Sequence, residues 1–292
     1  MSNSFRGRGS ILLLSLWTTA TLAALGIAQA TRISLELKWV DRVQEGTQAW
    51  YLAWMGVELA SDLLASDPEA SWDAPRETWG QILKAPISVE SGTFYYQMAD
   101  EQARIALNSA PLELLEKCPG FTPEAAGELM ARRDQGKLIS HLGELVTLPG
   151  FKAEFLPTLE PLITVYGTGA VNLNTASVEV LTLLGFSSDL SAQIVQFRTG
   201  PDGTVGTPDD LIFPDVEQIQ SLLDQNLGPL LPEDQMTLAS LIGSQRLGVR
   251  SSLFRVEVEG KMLRHGISKK VVAVLERGTI ESSPIVRGWY ET

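Results

Sequence analysis

The sequence predicts an α+β chain: a long N-terminal helix, then an antiparallel sheet interrupted by a large all-helical insertion. Three observations carry that prediction. An apolar run of about twenty residues, long enough to cross a bilayer core, passes without proline into an amphipathic helical pattern. Residues 106–245 contain an internal repeat with helical spacing. Alternating segments rich in β-branched and aromatic residues stand on both sides of that block.

With 292 residues the chain can bury a sizeable core, and its 44% hydrophobic and 20% charged content is that of a globular protein with an apolar segment added. A net charge of -12 argues against a general nucleic-acid binder, which carries a basic footprint. The single cysteine, Cys118, cannot close an internal disulfide and reads as a buried, inert thiol.

The first element is the helix. The stretch RGRGSILLLSLWTTATLAALGIAQATR, Arg6 to Arg32, puts a basic leader directly before the apolar run. LGIAQA, Leu25 to Ala30, could end a cleavable signal, but the apolar run starts without a spacer after Gly9 and the helical pattern continues beyond it. Trp50, Ala53, Trp54, Val57, Ala60 and Leu64 recur at helical spacing. One helix over 10–66 is expected, with a membrane anchor at about residues 10–30. Trp39, Trp50 and Trp54 read as core or subunit contacts.

Residues 67–105 are expected to open the sheet. APISVESGTFYYQMADEQARIAL reads as a hairpin or short meander with Ser91-Gly92 at its turn. The repeat follows, one copy over 106–165 and one over 171–245. Leu107, Asn108, Ala110, Glu113 and Leu115 recur as Leu173, Asn174, Ala176, Glu179 and Leu181, and the helical stretch after each copy carries Arg133 or Arg198. Asn-Ser and Asn-Thr read as helix N-caps. Each copy is therefore a small bundle of the SAM-like, helix-hairpin-helix type. Residues 246–292 complete the sheet: SSLFRVEVEGKM and SKKVVAVLERG alternate as paired strands, and SPIVRGWYE adds a third.

The two copies differ at one connection. Where the first uses DQGKL, the second places the longer TGPDGTVGTPDDLI. Asp202, Thr204, Thr207, Asp209 and Asp210 stand there among glycines and prolines, and oxygen donors on a tight loop suit a hard cation such as calcium. The spacing is not that of an EF-hand, and a solvated acidic turn has the same composition.

A basic leader ending in glycine before such a helix resembles the signal of type IV pilins and type II secretion pseudopilins. The resemblance implies that a prepilin peptidase cuts after Gly9, leaving Ser10 as the N-terminus, with methylation as the accompanying modification. Most pilins carry a glutamate at the fifth mature position, here Leu14; its absence, the lead-in MADEQARIALN and the repeat narrow the resemblance to the K-type minor pseudopilins. That family implies a pilin-type sheet with a helical insertion, calcium in the helical part, and I- and J-type minor pseudopilins as partners. It also implies a single-pass inner-membrane anchor with the bulk of the chain periplasmic. The role implied is capping and initiating a pseudopilus that exports folded proteins.

The NLNTA pattern also opens the hairpins of competence DNA receptors, the alternative reading. DNA-binding hairpins need a Gly-hydrophobic-Gly turn with Lys or Arg beside it. PGFTP, LGFSS and PGFKA lack the second glycine, and between Val171 and Gln245 Arg198 is the lone cation among ten acids. No nucleic acid is expected as a partner. Nor is catalysis: His141 and His265 lie far apart, and no G-x-S-x-G, H-E-x-x-H, C-x-x-C or P-loop pattern occurs.

Overall fold

The structure, a computed structural model, describes residues 6–67, 71–81, 83, 85–167, 169–278 and 283–291. The chain begins with helix α1 (Arg6–Ala65) and continues through strands β1 (Ile87–Ser88), β2 (Gly92–Asp100) and β3 (Ile105–Ala106). Helices α2 (Leu112–Leu115), α3 (Pro123–Asp134) and α4 (Leu156–Leu159) lead to β4 (Ile163–Thr164) and β5 (Val171–Asn172). Helices α5 (Val178–Leu184), α6 (Ser188–Arg198), α7 (Ile219–Leu227) and α8 (Pro232–Gly243) precede β6 (Leu247–Gly248), β7 (Leu253–Met262), β8 (Ser268–Glu276) and β9 (Ile285–Glu291).

Residues 1–5 of the expected leader lie outside the described residues, while the backbone of Gly9 and Ser10 belongs to α1. From Ile11 to Gln44 every side chain of α1 is exposed, so among the described residues nothing covers the apolar surface of this half of the helix. The second half does. Ala49, Leu52, Ala53, Val57, Ala60 and Leu64 form one buried stripe against the sheet. The tryptophans divide: Trp39 is 68% exposed. Trp50 and Trp54 stack with centroids 5.7 Å apart, and Trp289 of β9 leans on Trp54 at 5.0 Å. Helix and sheet approach closely because Gly260 lies under the turn of Ala49 and Ala53, where a Cβ would collide with the helix backbone.

The sheet is antiparallel, in the order β1-β2-β7-β8-β9. Its central strand alternates: Phe254, Val256, Val258 and Met262 face α1, while Arg255 and Glu257 face away. β2 and β7 are paired from Gly92 with Met262 to Asp100 with Phe254, so the whole insertion leaves and re-enters the sheet at one end.

A second core fills the insertion, with both copies contributing: Leu107, Leu115, Leu129 and Leu145 from the first, Leu173, Leu181, Ile194 and Phe213 from the second. Each copy opens and closes on a two-residue parallel ladder, β3 with β4 and β5 with β6, elements too short to show in the sequence pattern. The expected asparagine caps are corrected. Thr122, Ser177 and Ser187 cap α3, α5 and α6. Asn108 and Asn174 instead clamp backbone across their copies: Asn108 donates to the carbonyls of Ile139 and Val165 and accepts from Ile139 N. Asn174 repeats this on Phe213 and Val249. A primary amide offers donor and acceptor together, and a peptide group crossing the bundle uses both.

Candidate cation site and the surfaces around it

The loop between α6 and α7 is closed by glycines in left-handed conformation, Gly203 at φ 67° and Gly206 at φ 86°, which side chains rarely adopt. The turn gathers Asp202, Asp209 and Asp210, with one oxygen of each within 4.8 Å of the others. Thr207 joins them, its hydroxyl 2.6 Å from Asp209 Oδ1 and 3.2 Å from Asp210 Oδ1. That hydroxyl contact holds the Asp209 carboxyl below its usual range. The Thr204 hydroxyl lies apart, against the Asp202 carbonyl, while the Thr204 carbonyl lies 3.2 Å from the Thr207 hydroxyl, whose one proton the shorter Asp209 contact takes.

Part of the cluster is already used. Asp202 Oδ1 accepts from Thr204 N, and Asp210 Oδ2 accepts from Gly206 N at 2.8 Å. Asp210 is buried and Asp209 is exposed, so the cluster is half open to solvent. The loop is clipped to the segment after α1, where Arg76 Nη1 donates to the Asp210 carbonyl at 2.9 Å. On the other side stands Arg198, half-buried, whose guanidinium donates to the carbonyls of Leu173 and Ala176. Burial lowers its pKa to about 10, opposed by Asp210. Arg133 makes the matching contact to Ala110 O in the first copy. The lone cation of the second copy therefore faces inward, away from any phosphate backbone.

A second carboxylate group escaped the sequence reading. Asp67, Asp73 and Glu77 also bring oxygens within 4.8 Å, but Arg277 stands among them, bonded to Asp67 at 2.9 Å and Asp73 at 2.5 Å. Glu77 holds the 74–80 turn by accepting from Ala74 N and Trp79 Nε1, while burial, with Asp67 and Asp73 nearby, pushes it up to about 8. Its cation is built in, and the cluster reads as a structural lock.

Among the described residues the single cysteine and the two histidines stand apart from one another. Cys118 is buried, donates to Leu114 O, and burial pushes its thiol up to about 12. His141 is a surface residue beside Glu144, and His265 Nδ1 lies 2.6 Å from Glu45 Oε1 on α1.

No protein-family model matches the chain, and no curated protein matches it. Among solved structures it matches a chain in the crystal structure of the GspK–GspI–GspJ complex from the type 2 secretion system of enterotoxigenic Escherichia coli. The likeness covers 87% of this chain and 99% of that one, at 18% identity and a TM-score of 0.63. The fold is GspK-like.

Proposed function

We propose that the chain is a K-type minor pseudopilin of a type II secretion system, anchored once in the inner membrane with its bulk in the periplasm. The observation that carries the reading is the GspK-like fold across almost the whole of the matched chain. The exposed apolar half of α1, Ile11 onward, supports it, because a helix of that length and composition can span a bilayer. The prepilin peptidase removes residues 1–9. The mature subunit, beginning at Ser10, joins I- and J-type minor pseudopilins and caps and initiates the pseudopilus. Leu14 in place of an acid suits a subunit with no predecessor's amine to neutralise.

Calcium belongs to the same proposal. Three carboxylates, a hydroxyl and nearby carbonyls on a glycine-rich turn fit a hard cation that takes six to eight oxygens at flexible geometry. Asp202, Asp209, Asp210 and Thr207 would hold it. The ion would supply charge that offsets the adjacent carboxylates and fixes the loop against the 74–80 segment. The deciding experiment is co-expression of the full chain with the I- and J-type subunits of its own system. A stable complex and loss of exoprotein secretion on deletion support the reading; a chain that binds neither subunit and is dispensable for secretion overturns it.

A further inference from the structure

The turn between β7 and β8 is a basic knob on an acidic protein. From Lys261 to Lys270 the chain carries Lys261, Arg264, Lys269, Lys270 and His265 and no acid, against a net charge of -12 for the whole. All five are exposed, and among the described residues none of the four permanent cations lies within ion-pair distance of a carboxylate. Glu259, directly across the ladder from Lys270, does not close on it. At the tip Leu263 is 67% exposed. The Glu45–His265 contact ties this turn to α1 where the exposed run of Ile11 to Gln44 ends and burial begins.

That position gives the knob its setting. Between the apolar span and Glu45, residues 31–44 form a bare helical collar of about 20 Å at 1.5 Å per residue. Its Ile33, Leu35, Leu37, Trp39, Val40 and Val43 are exposed. These apolar side chains spread over more than one face, among Arg32, Glu36, Lys38, Asp41 and Arg42, so the collar offers apolar area in patches that water solvates poorly, and a bilayer anchored at residues 11–30 ends below it. The distance also decides between lipid and protein. Headgroups add only about 5–7 Å to each side of the hydrocarbon core, and charges are screened over about 8 Å at physiological salt. Lipid phosphate is out of range of a turn held at the level of Glu45, whereas a folded chain fills a 20 Å gap.

We infer that the β7–β8 turn is the docking point for an acidic protein surface, carried by a neighbouring pseudopilin that packs on the collar below it. The inference rests on the proposed function for the class of partner. The turn supplies unpaired cations and the collar supplies apolar area, so the partner presents carboxylates above an apolar helix. Such a contact acts chiefly on encounter rate and register, and it weakens with salt.

The test uses the full chain in detergent with the I- and J-type subunits of its system as probes. The quadruple variant Lys261→Glu, Arg264→Glu, Lys269→Glu, Lys270→Glu alters exposed side chains only, and an unchanged melting curve verifies its fold. The expected result is at least tenfold weaker association at 0.15 M salt, with the salt dependence of the unmutated chain lost. Carbodiimide cross-linking should join Lys269 or Lys270 to an Asp or Glu of the partner. Failure of the unmutated chain to bind either subunit counts against the proposed function. Binding by the unmutated chain that the reversal leaves unchanged overturns the docking point alone. Two other results also overturn it: knob-dependent self-association, and protection of these lysines by phosphatidylglycerol nanodiscs without partner.

Discussion

Asp100 accepts a hydrogen bond from Ser251 Oγ at 2.6 Å, although 151 positions separate them. The first is the last residue of β2 and the second precedes β7, so the bond ties the exit of the insertion to its return. Thr175 Oγ1 and Asn172 Nδ2 donate to the same carboxylate, at 2.5 Å and 2.9 Å, and Gln102 N donates to its other oxygen. Asp73, held by Ser251 N and Arg277, borders this knot. The sheet and both ends of the insertion are locked around one buried acid.

Burial outweighs those four donors and raises the Asp100 pKa from 3.8 to about 6. The folded state then binds the proton more tightly than the unfolded one. Stability from this group is complete below about pH 4 and falls as pH rises toward 6, by about 3 kcal/mol for a shift of about two units. Asp100→Asn cannot titrate. Its melting temperature, measured from pH 4 to 7, should lack that decline, and the difference from the unmutated chain isolates it from other acids. Parallel profiles would show that Asp100 keeps its ordinary pKa.

Arg133 and Arg198 occupy matching places in the two copies, each donating to the turn before the first helix of its copy, Arg133 to the carbonyl of Ala110 and Arg198 to those of Leu173 and Ala176. Replacing either by methionine keeps much of the volume and strands those carbonyls. A buried unpaired acceptor costs about 1–3 kcal/mol. Arg198, which serves two carbonyls where Arg133 serves one, should cost more than Arg133 in urea unfolding of the two variants. A larger loss at Arg133 would contradict this account of the pair.

The helix, the β2, β7, β8 and β9 strands and the doubled insertion were legible because each repeats a period over many residues. The stripe from Ala53 to Leu64 and the alternation through Phe254, Val256 and Val258 are such signals. What depends on tertiary pairing was not. β3 to β6 are two residues each, below any periodic signal, and the clamps of Asn108 and Asn174 depend on which backbone crosses them. The knot around Asp100 joins residues far apart in sequence, each ordinary by itself. In the acidic loop, the gathering of Asp202, Asp209 and Asp210 follows from the Gly203 and Gly206 turns, whereas the Thr204 hydroxyl turns aside toward the Asp202 carbonyl, a local choice that spacing does not dictate.

Processing gives a prediction at the other end of the chain. N-terminal sequencing of the mature protein should begin at Ser10, and Gly9→Leu should leave the leader attached. Leu14→Glu should not improve secretion, since it adds an acid within the membrane at a cost of about 2.5 kcal/mol or more on insertion scales. A mature N-terminus at Thr31 would mean ordinary signal cleavage. A gain of secretion with Leu14→Glu would place the subunit inside the fibre.

The acidic loop makes calcium the most direct test of the site. Asp209 and Asp210 are adjacent, share the Thr207 hydroxyl, and sit with Asp202 within one ion's reach. Without a cation their repulsion is offset by Thr207, the Gly206 amide and the charge of Arg198. An ion bound only by the folded loop stabilises the chain by RT ln(1 + [Ca]/Kd), so the melting temperature should rise with calcium and fall in chelator. Magnesium, which demands tight octahedral geometry and dehydrates reluctantly, should restore little. Asp209→Ala, on the exposed side, should weaken the response without unfolding the loop, whereas Asp209→Ala with Asp210→Ala should abolish it. Arg76, which clips the loop by the Asp210 carbonyl, gives a further reading: Arg76→Ala should raise the calcium concentration needed for half the shift, because the ion must then order the loop by itself. Identical melting curves in calcium and chelator for the unmutated chain would reduce the loop to an acidic turn closed by its own hydrogen bonds.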